Sequence, residues 1–323
     1  MLTQKYNFHL PTAKEREANK DLRGKMICPE CGENSFVPYL DASGSIVDKD
    51  KFGRCERVNS CGFIRYPSGV EAHQKAKTTS IQPQPRPKFL DEKQRDEIFK
   101  PSLRGYDTNH LIIYLRSLFD EETVNKMITG YYLGTIDHFN GGATVFWQVD
   151  KYGNIHRGKI MQYDPTTGKR IKYKGNGLIS SIHAIHDLGD LPSECLFGEH
   201  LLSKHRNMFV GLVESEKTAV IASGVVTDCL FLATGGCSKL SAAMCQVLKG
   251  RNVVLFPDNG KFDEWQEKGR KMRHLFNTIS IVDIMERKET IDRYGLHDGD
   301  DIGDIIASPN FDIKDMKIEL QQL

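Results

Sequence analysis

A chain of 323 residues, 27% of them charged and with a formal net charge of +1, has room for two or three domains. Its overall charge advertises neither nucleic acid nor a membrane surface. No apolar run approaches the roughly 20 residues that cross a bilayer, and MLTQKYNFHLPTAKERE lacks the apolar segment of a signal peptide. No membrane association and a cytoplasmic location are therefore expected, with the eight cysteines kept as thiols.

Charge is uneven along the chain. Residues 156–176 hold six Lys/Arg against one Asp, and residues 281–323 hold eleven acids against five bases. That predicts a polyanion-facing surface in the first stretch and cation binding or solubility in the second.

The first module is a pair of cysteine knuckles. CPECG (28–32) and CERVNSCG (55–62) place Cys28, Cys31, Cys55 and Cys61 in C-x2-C and C-x5-C spacing, with glycine after each second cysteine. Two such turns can present four thiolates to one zinc ion. A redox reading of the first pair would leave Cys55 and Cys61 without a role. Four cysteines leave no open coordination position, so this zinc is expected to be structural. The module is assigned to residues 1–70. AKTTSIQPQPRPK (76–88) has three alternating prolines and few apolar residues, which reads as an extended linker within residues 71–100.

Residues 101–205 read as a mixed α+β segment. NHLIIYLRSLF (109–119) and DEETVNKMITGYYLG (120–134) predict two helices, the second capped by Asp120. GATVFWQVDKYGNIHRGKIMQYDPTTGKRIKYK predicts antiparallel hairpins turning at Asp150–Gly153 and Asp164–Gly168. Phe146 and Trp147 would face opposite ways on a strand, one toward a core and the other available to stack a base. Arg157, Lys159, Lys169, Arg170, Lys172 and Lys174 crowd two hairpins, as a nucleic-acid contact or a solvated face. His183 and His186, without a partner pattern, read as surface or packing residues. Cys195, Cys229, Cys237 and Cys245 read as small core or near-surface side chains.

From residue 206 the texture changes. FVGLVE, CLFLAT, NVVLFPD and ISIVDIM are short apolar runs suited to strands buried on both faces, separated by helical patterns at EKTAVIAS, SKLSAAMCQVLKG and FDEWQEKGRKMRHLF. The expected fold of residues 206–323 is α/β, a parallel sheet flanked by helices. Functional groups collect where such strands end. Glu214 ends GLVE and Asp258 ends VVLFP, which suits Mg²⁺ if the strands are neighbours; by spacing alone, helix capping or surface solvation explains most such pairs. Lys217 reads as a phosphate contact, a cap or an ion-pair partner. Asp263 reads as a first-turn helix residue, with a folded-back ligand as the alternative.

VESEKTAVIASG (213–224), ATGGCSKL (233–240), VVLFPDNG (253–260) and GDDIGDIIA (299–307) resemble, in order and spacing, the successive motifs of the toprim domain of bacterial-type primases, topoisomerases and some nucleases. VFWQVDKYGNIHRGKI and LFGEHLL (196–202) resemble the segment preceding toprim in bacterial primases, and CPECGENSF…GRCERVNSCG resembles their zinc-binding domain. The combination is most similar to poorly characterised primase-like, toprim-bearing proteins associated with bacterial mobile elements.

The resemblance implies a zinc-ribbon DNA-binding module, a primase-like α+β subdomain (101–205) and a toprim domain (206–323). It implies a metal-dependent nucleotidyltransferase working on a single-stranded DNA template with nucleotides and Mg²⁺ or Mn²⁺. Glu214 and Asp258 match the catalytic acids, and Asp300, Asp301 and Asp304 the late acidic motif that supplies further metal contacts. Two positions depart from the pattern. Gly260 stands where the motif has a second aspartate, and Thr218 where primases often carry an acid. A non-catalytic DNA-binding replication accessory protein and a toprim-type nuclease are the alternatives. There is no GxxxxGK[ST] loop, so any helicase would be a separate chain.

Overall fold

The computed structural model describes residues 8–22, 24–49, 51–57, 61, 63–67, 89–139, 141–173, 175–188 and 194–312. Among them no helix is long and apolar enough to cross a membrane. The chain divides into two units, residues 1–84 and 85–323.

In the first unit the strands Met26–Ile27, Asn34–Pro38, Gly53–Cys55 and Ile64–Arg65 form an antiparallel sheet in that order. The first knuckle is a tight turn in which Gly32 N–H donates to the Cys28 carbonyl at 2.9 Å and Cys28 N–H to that of Glu33 at 2.8 Å. Beneath the knuckles lies a small cluster of Cys28, Phe36 and Cys55, flanked by Met26, Cys31, Cys61 and Phe63. Four of its seven members are cysteines, so this cluster holds little apolar surface beyond its thiols, and Leu22, Val37, Tyr39 and Leu40 are the unit's further buried apolar side chains. The linker stretch 76–88 lies outside the described residues. Leu90 and Phe99, placed with the linker by composition, belong to the core of the second unit.

The second unit begins with three contiguous short helical segments, Glu92–Gln94, Arg95–Phe99 and Lys100–Ser102, followed by two longer helices, His110–Leu118 and Glu121–Tyr131. The Asn109 side chain accepts the Ile112 N–H at the first N-terminus, and that of Asp120 accepts the Thr123 N–H at the second. The second helix stops at Tyr132, whose φ of 51° is left-handed, and Leu133 and Gly134 already belong to a strand. The strands Leu133–Ile136, Ala143–Val149, Ile155–Met161 and Ile179–Ser181 pair antiparallel in that spatial order. Both expected turns are present. Asp150 Oδ1 accepts from Tyr152 and Asn154 N–H, and Asp164 Oδ1 from Thr166 and Thr167 N–H.

Ala143–Val149 is buried along its whole length, which corrects the expectation that Phe146 or Trp147 stacks a base. Phe146 packs on Phe197 at 5.5 Å between ring centres, and Trp147 packs edge-on against Phe99 at 5.2 Å. The strand is sandwiched between two cores, and sequence alternation cannot reveal burial on both faces. Trp147 Nε1 donates to Ser102 Oγ at 2.9 Å. Trp147→Phe keeps most of the apolar contact and removes that bond, so it should cost about 1–2 kcal/mol in urea unfolding.

The parallel sheet has the order Cys229–Ala233, Phe209–Val213, Asn252–Leu255, Thr278–Ile281. All four expected strands are present. The helix Glu216–Ser223 packs on the Cys229–Ala233 strand and the helix Phe262–Met272 on the Thr278–Ile281 strand. The pattern from Ser238 to Gly250 is not one helix but three short turns, Cys237–Lys239, Ala242–Cys245 and Gln246–Leu248. Cys195, Cys229 and Cys245 are buried single thiols, and the Cys237 side chain lies outside the described residues. The main core joins this sheet to the helices His110–Leu118 and Glu121–Tyr131 and to the Phe146 face of the antiparallel sheet.

Candidate functional site

Sulfur-to-sulfur distances test the zinc expectation. Cys28 and Cys61 Sγ lie 3.7 Å apart, Cys31 and Cys55 Sγ 3.9 Å apart, and all four thiols lie within 4.8 Å of one another. A tetrahedron with Zn–S bonds of about 2.3 Å has edges of about 3.8 Å, so the four cysteines fit zinc. Ser35 Oγ lies 3.1 Å from Cys55 Sγ and supports that ligand. The looser C-x5-C knuckle closes the sphere because Cys61 N–H donates back to the Arg57 carbonyl at 2.8 Å.

In the parallel sheet the first strand in sequence, Phe209–Val213, lies between the second and the third, so the chain order reverses there. Ligands of open α/β sheets bind where that reversal opens a crevice at the strand C-termini. Glu214 follows the first strand directly, and Asp258 stands three residues beyond the third. The backbone continues the pairing: Gly235 N–H donates to the Glu214 carbonyl at 2.9 Å and Phe256 N–H to that of Leu212 at 2.9 Å.

Asp258 is electrostatically strained. Burial and the nearby carboxylates of Asp301, Glu214 and Asp304 push its carboxyl up to about 8, against the opposing charge of Lys261. Its Oδ1 is buried without a hydrogen-bond partner. Asp301 is also pushed up by burial and by Asp304, opposed by Lys217 and by the Thr218 hydroxyl. Thr218 Oγ1 donates to Asp301 Oδ2 at 2.5 Å, so the residue standing where an acid was expected instead ties Asp301 to the helix Glu216–Ser223. Asp301 also caps the helix Ile302–Ile306, reciprocally with Asp304. Asp300 accepts the His297 N–H at 2.6 Å. Asp263 is an exposed first-turn residue of its helix.

Asp301, Glu214 and Asp304 thus lie near enough to Asp258 to raise its carboxyl, but no three of the four acids bring their oxygens within 4.8 Å of one another. Among the described residues the four cysteines form the sole group of three or more ligands within 4.8 Å. The orphaned Asp258 Oδ1 and the mutual repulsion suit a cation that keeps part of its water, as Mg²⁺ does.

Gly260 has a structural cause. Its φ is +79°, and a Cβ there would stand 2.2 Å from Asp298 Oδ1. Its N–H donates to Glu286 Oε1 at 2.8 Å. Introducing the missing acid by Gly260→Asp should therefore cost about 1–3 kcal/mol, through left-handed strain and the displaced like charge. Adding Asp298→Ala should recover about 1 kcal/mol in a double-mutant cycle. Additive losses would show that Asp298 does not occupy that space.

The basic residues separate into two groups. Lys169 and Arg170, beside the Asp164–Gly168 turn, and Lys172, on the short strand Lys172–Tyr173, are exposed, and Lys174 lies outside the described residues. Arg157, Lys159 and Lys217 are instead engaged by acids of other elements. Lys159 Nζ lies 2.8 Å from Glu216, Arg157 Nη1 2.5 Å from Glu194, and Lys217 Nζ 3.9 Å from Asp304 and 3.4 Å from the Gly168 carbonyl. Glu194, Glu216 and Lys239 were missed in the sequence. No local pattern marks them, and their partners lie 37 to 57 residues away. His183 is a buried packing residue, its basicity lowered by burial and by Arg157.

The molecule is thus a four-cysteine zinc ribbon followed in the chain by an α/β unit whose parallel sheet carries acids at its crevice. A zinc beta-ribbon finger family model matches residues 8–76, and a domain of unknown function (DUF6371) matches residues 109–259. No curated protein matches the sequence. Among solved structures the chain is similar to the primase fragment of the bacteriophage T7 primase-helicase protein, at 15% identity over 80% of this chain and 89% of that one, with a TM-score of 0.36. It is similar to the DnaG primase catalytic domain bound to ssDNA, at 13% identity over 71% and 74%, with a TM-score of 0.31. It is also similar to a DNA primase domain from Pseudomonas aeruginosa, at 13% identity over 49% of each chain, with a TM-score of 0.29.

Proposed function

We propose that this protein is a primase-like nucleotidyltransferase that joins nucleotides on a single-stranded DNA template. The observation that carries the reading is the crevice at the sheet reversal, where Asp258, buried and short of a partner, faces Glu214, Asp301 and Asp304. Mg²⁺ or Mn²⁺ bound there would neutralise charge on a transferring phosphoryl group. The chain's own residues do the rest by positioning. Glu214 and Asp258 hold the cation from adjacent strands, Asp301 is kept in place by Thr218 and by its capping role, and Lys217 offsets the surplus negative charge. The exposed Lys169, Arg170 and Lys172 supply the salt-dependent contact to template or product, and the zinc ribbon supplies a second contact to the template. The toprim-like order of VESEKTA, ATGGCSKL, VVLFPDNG and GDDIGDIIA supports the same reading.

One observation favours a second reading. No three of the carboxylates among the described residues converge within 4.8 Å, as fits a DNA-binding accessory protein that has lost polymerisation. The test is incubation of the full chain with ribonucleotides, single-stranded DNA and Mg²⁺ or Mn²⁺. Short oligonucleotides are expected. No product with either metal, while DNA binding persists, would establish the accessory role, and degradation of the labelled DNA would establish a nuclease.

A further inference from the structure

We propose that Arg157 and Lys239 form a binding site for a phosphate group, and that Glu194 occupies this site as an internal competitor until the phosphate displaces it. The inference deepens the proposed function by naming the ligand and the regulation of one part of its crevice. One carboxylate oxygen, Glu194 Oε1, accepts both from Arg157 Nη1 at 2.5 Å and from Lys239 Nζ at 2.7 Å. The two cations come from different parts of the fold. Arg157 lies on the Ile155–Met161 strand of the antiparallel sheet, and Lys239 ends the turn that follows the second parallel strand. Two cations converging on one oxygen reproduce the way a phosphate oxygen is held.

The neighbouring pair shows why Glu194 is the exchangeable member. Lys159, two residues along the same strand, lies 3.0 and 2.8 Å from the two oxygens of Glu216, a side chain only 2% exposed. Lys159 is itself 27% exposed, so the difference lies in the acid: Glu216 cannot leave its partner without stranding a buried charge, and it is a fixed part of the framework. Glu194 and Arg157 are each 24% exposed and Lys239 is 35% exposed. Water reaches the Glu194 carboxylate, which Glu216 does not allow, so Glu194 can turn out to solvent when an anion with more charge and more oxygens takes its place.

The two clusters are contiguous. Glu216 Oε1 and Lys239 Nζ stand 3.0 and 3.9 Å from the position of a Cβ on Gly235, whose N–H is bonded to the Glu214 carbonyl. A phosphate on Arg157 and Lys239 would therefore lie beside the crevice that holds Glu214. A nucleotide's phosphates and a nucleic-acid backbone offer the same chemistry.

The test titrates the full zinc-loaded chain with inorganic tripolyphosphate by calorimetry, without divalent cations, and with fluorescein-labelled oligothymidylate by anisotropy. Glu194→Gln should bind tripolyphosphate about tenfold tighter than the parent, with a steeper salt dependence. Arg157→Ala in the Glu194→Gln background should remove the gain. Glu267→Gln, which deletes the same charge on an exposed helix face, should leave affinity unchanged. Circular dichroism of each variant separates loss of binding from loss of fold.

A gain in both titrations assigns the site to a nucleic-acid backbone, and a gain for tripolyphosphate alone assigns it to free nucleotide. No gain in either, or a gain that survives Arg157→Ala, overturns the inference. The proposed function stands if oligonucleotides are still made in that case. A phosphate gain without synthesis under any metal keeps the inference and removes the polymerase reading.

Discussion

Stripping the zinc with a strong chelator, or replacing Cys55 by Ser, should unfold the first unit and leave the second folded. The cluster beneath the knuckles contains Cys28, Phe36 and Cys55 as its buried members, and four of its seven residues are the ligands themselves. Without metal, Phe36 with partly buried Met26 and Phe63 beneath the knuckles, and Leu22, Val37, Tyr39 and Leu40 elsewhere in the unit, are a small apolar surface to hold four short strands. Zinc binding in such modules contributes on the order of 10 kcal/mol of folding free energy. Amide exchange should therefore lose protection across the strands from Met26 to Arg65. Protection should persist in the sheet from Phe209 to Ile281, whose core does not depend on the ribbon. Elemental analysis should find one zinc per chain. Full protection of the ribbon after the metal is removed would sink the assignment.

Glu214→Gln should reduce oligonucleotide synthesis by about 10²–10³-fold, the usual effect of removing one preorganised electrostatic group. Single-stranded DNA binding should change less than about twofold, because the exposed Lys169, Arg170 and Lys172 lie on other elements. Asp258→Asn should lower synthesis to the same degree and have the opposite effect on stability. Asp258 is held among Asp301, Glu214 and Asp304 with an unpartnered buried oxygen, which pushes its carboxyl up to about 8; at neutral pH the metal-free protein must bind a proton there that the unfolded chain does not, and Asn removes that cost. A rise in Tm of a few degrees is expected for Asp258→Asn, in line with the stability cost of functional sites. Added Mg²⁺ should raise the Tm of the parent and leave that of Asp258→Asn nearly unchanged. A variant that loses both stability and activity would show that Asp258 is a packing residue.

How legible the fold was can be argued from single elements. FVGLV, CLFLA, NVVL and TISI are recognisable as buried strands because burial on both faces leaves continuous apolar runs. The helix after Ser215 and those after Asn109 and Asp120 are recognisable from short polar residues ahead of apolar periodicity. The C-terminal limits were harder to read. The helix from Glu121 ends at Tyr132 through a left-handed residue that no glycine announces. Ser238–Gly250 looks like one helix in composition but breaks into three turns. Phe146 and Trp147 misled for a different reason. Alternation along a strand tells which residues share a face, and only the packing of Phe99 on one side and Phe197 on the other shows that both faces are interior.

The sequence by itself determined the zinc ligands, the order of the parallel strands along the chain and the acids that end two of them. These are properties of spacing and local periodicity, which survive without knowledge of the fold. Tertiary structure decided which charges meet. Glu194 lies 37 residues from Arg157 and 45 from Lys239, and Thr218 lies 83 from Asp301. Asp298 fills the space that a side chain at position 260 would need. Ionic partners are selected by the approach of distant segments in a low-dielectric crevice, where one ångström changes the balance of attraction and desolvation. Strand order along the chain carries none of that information.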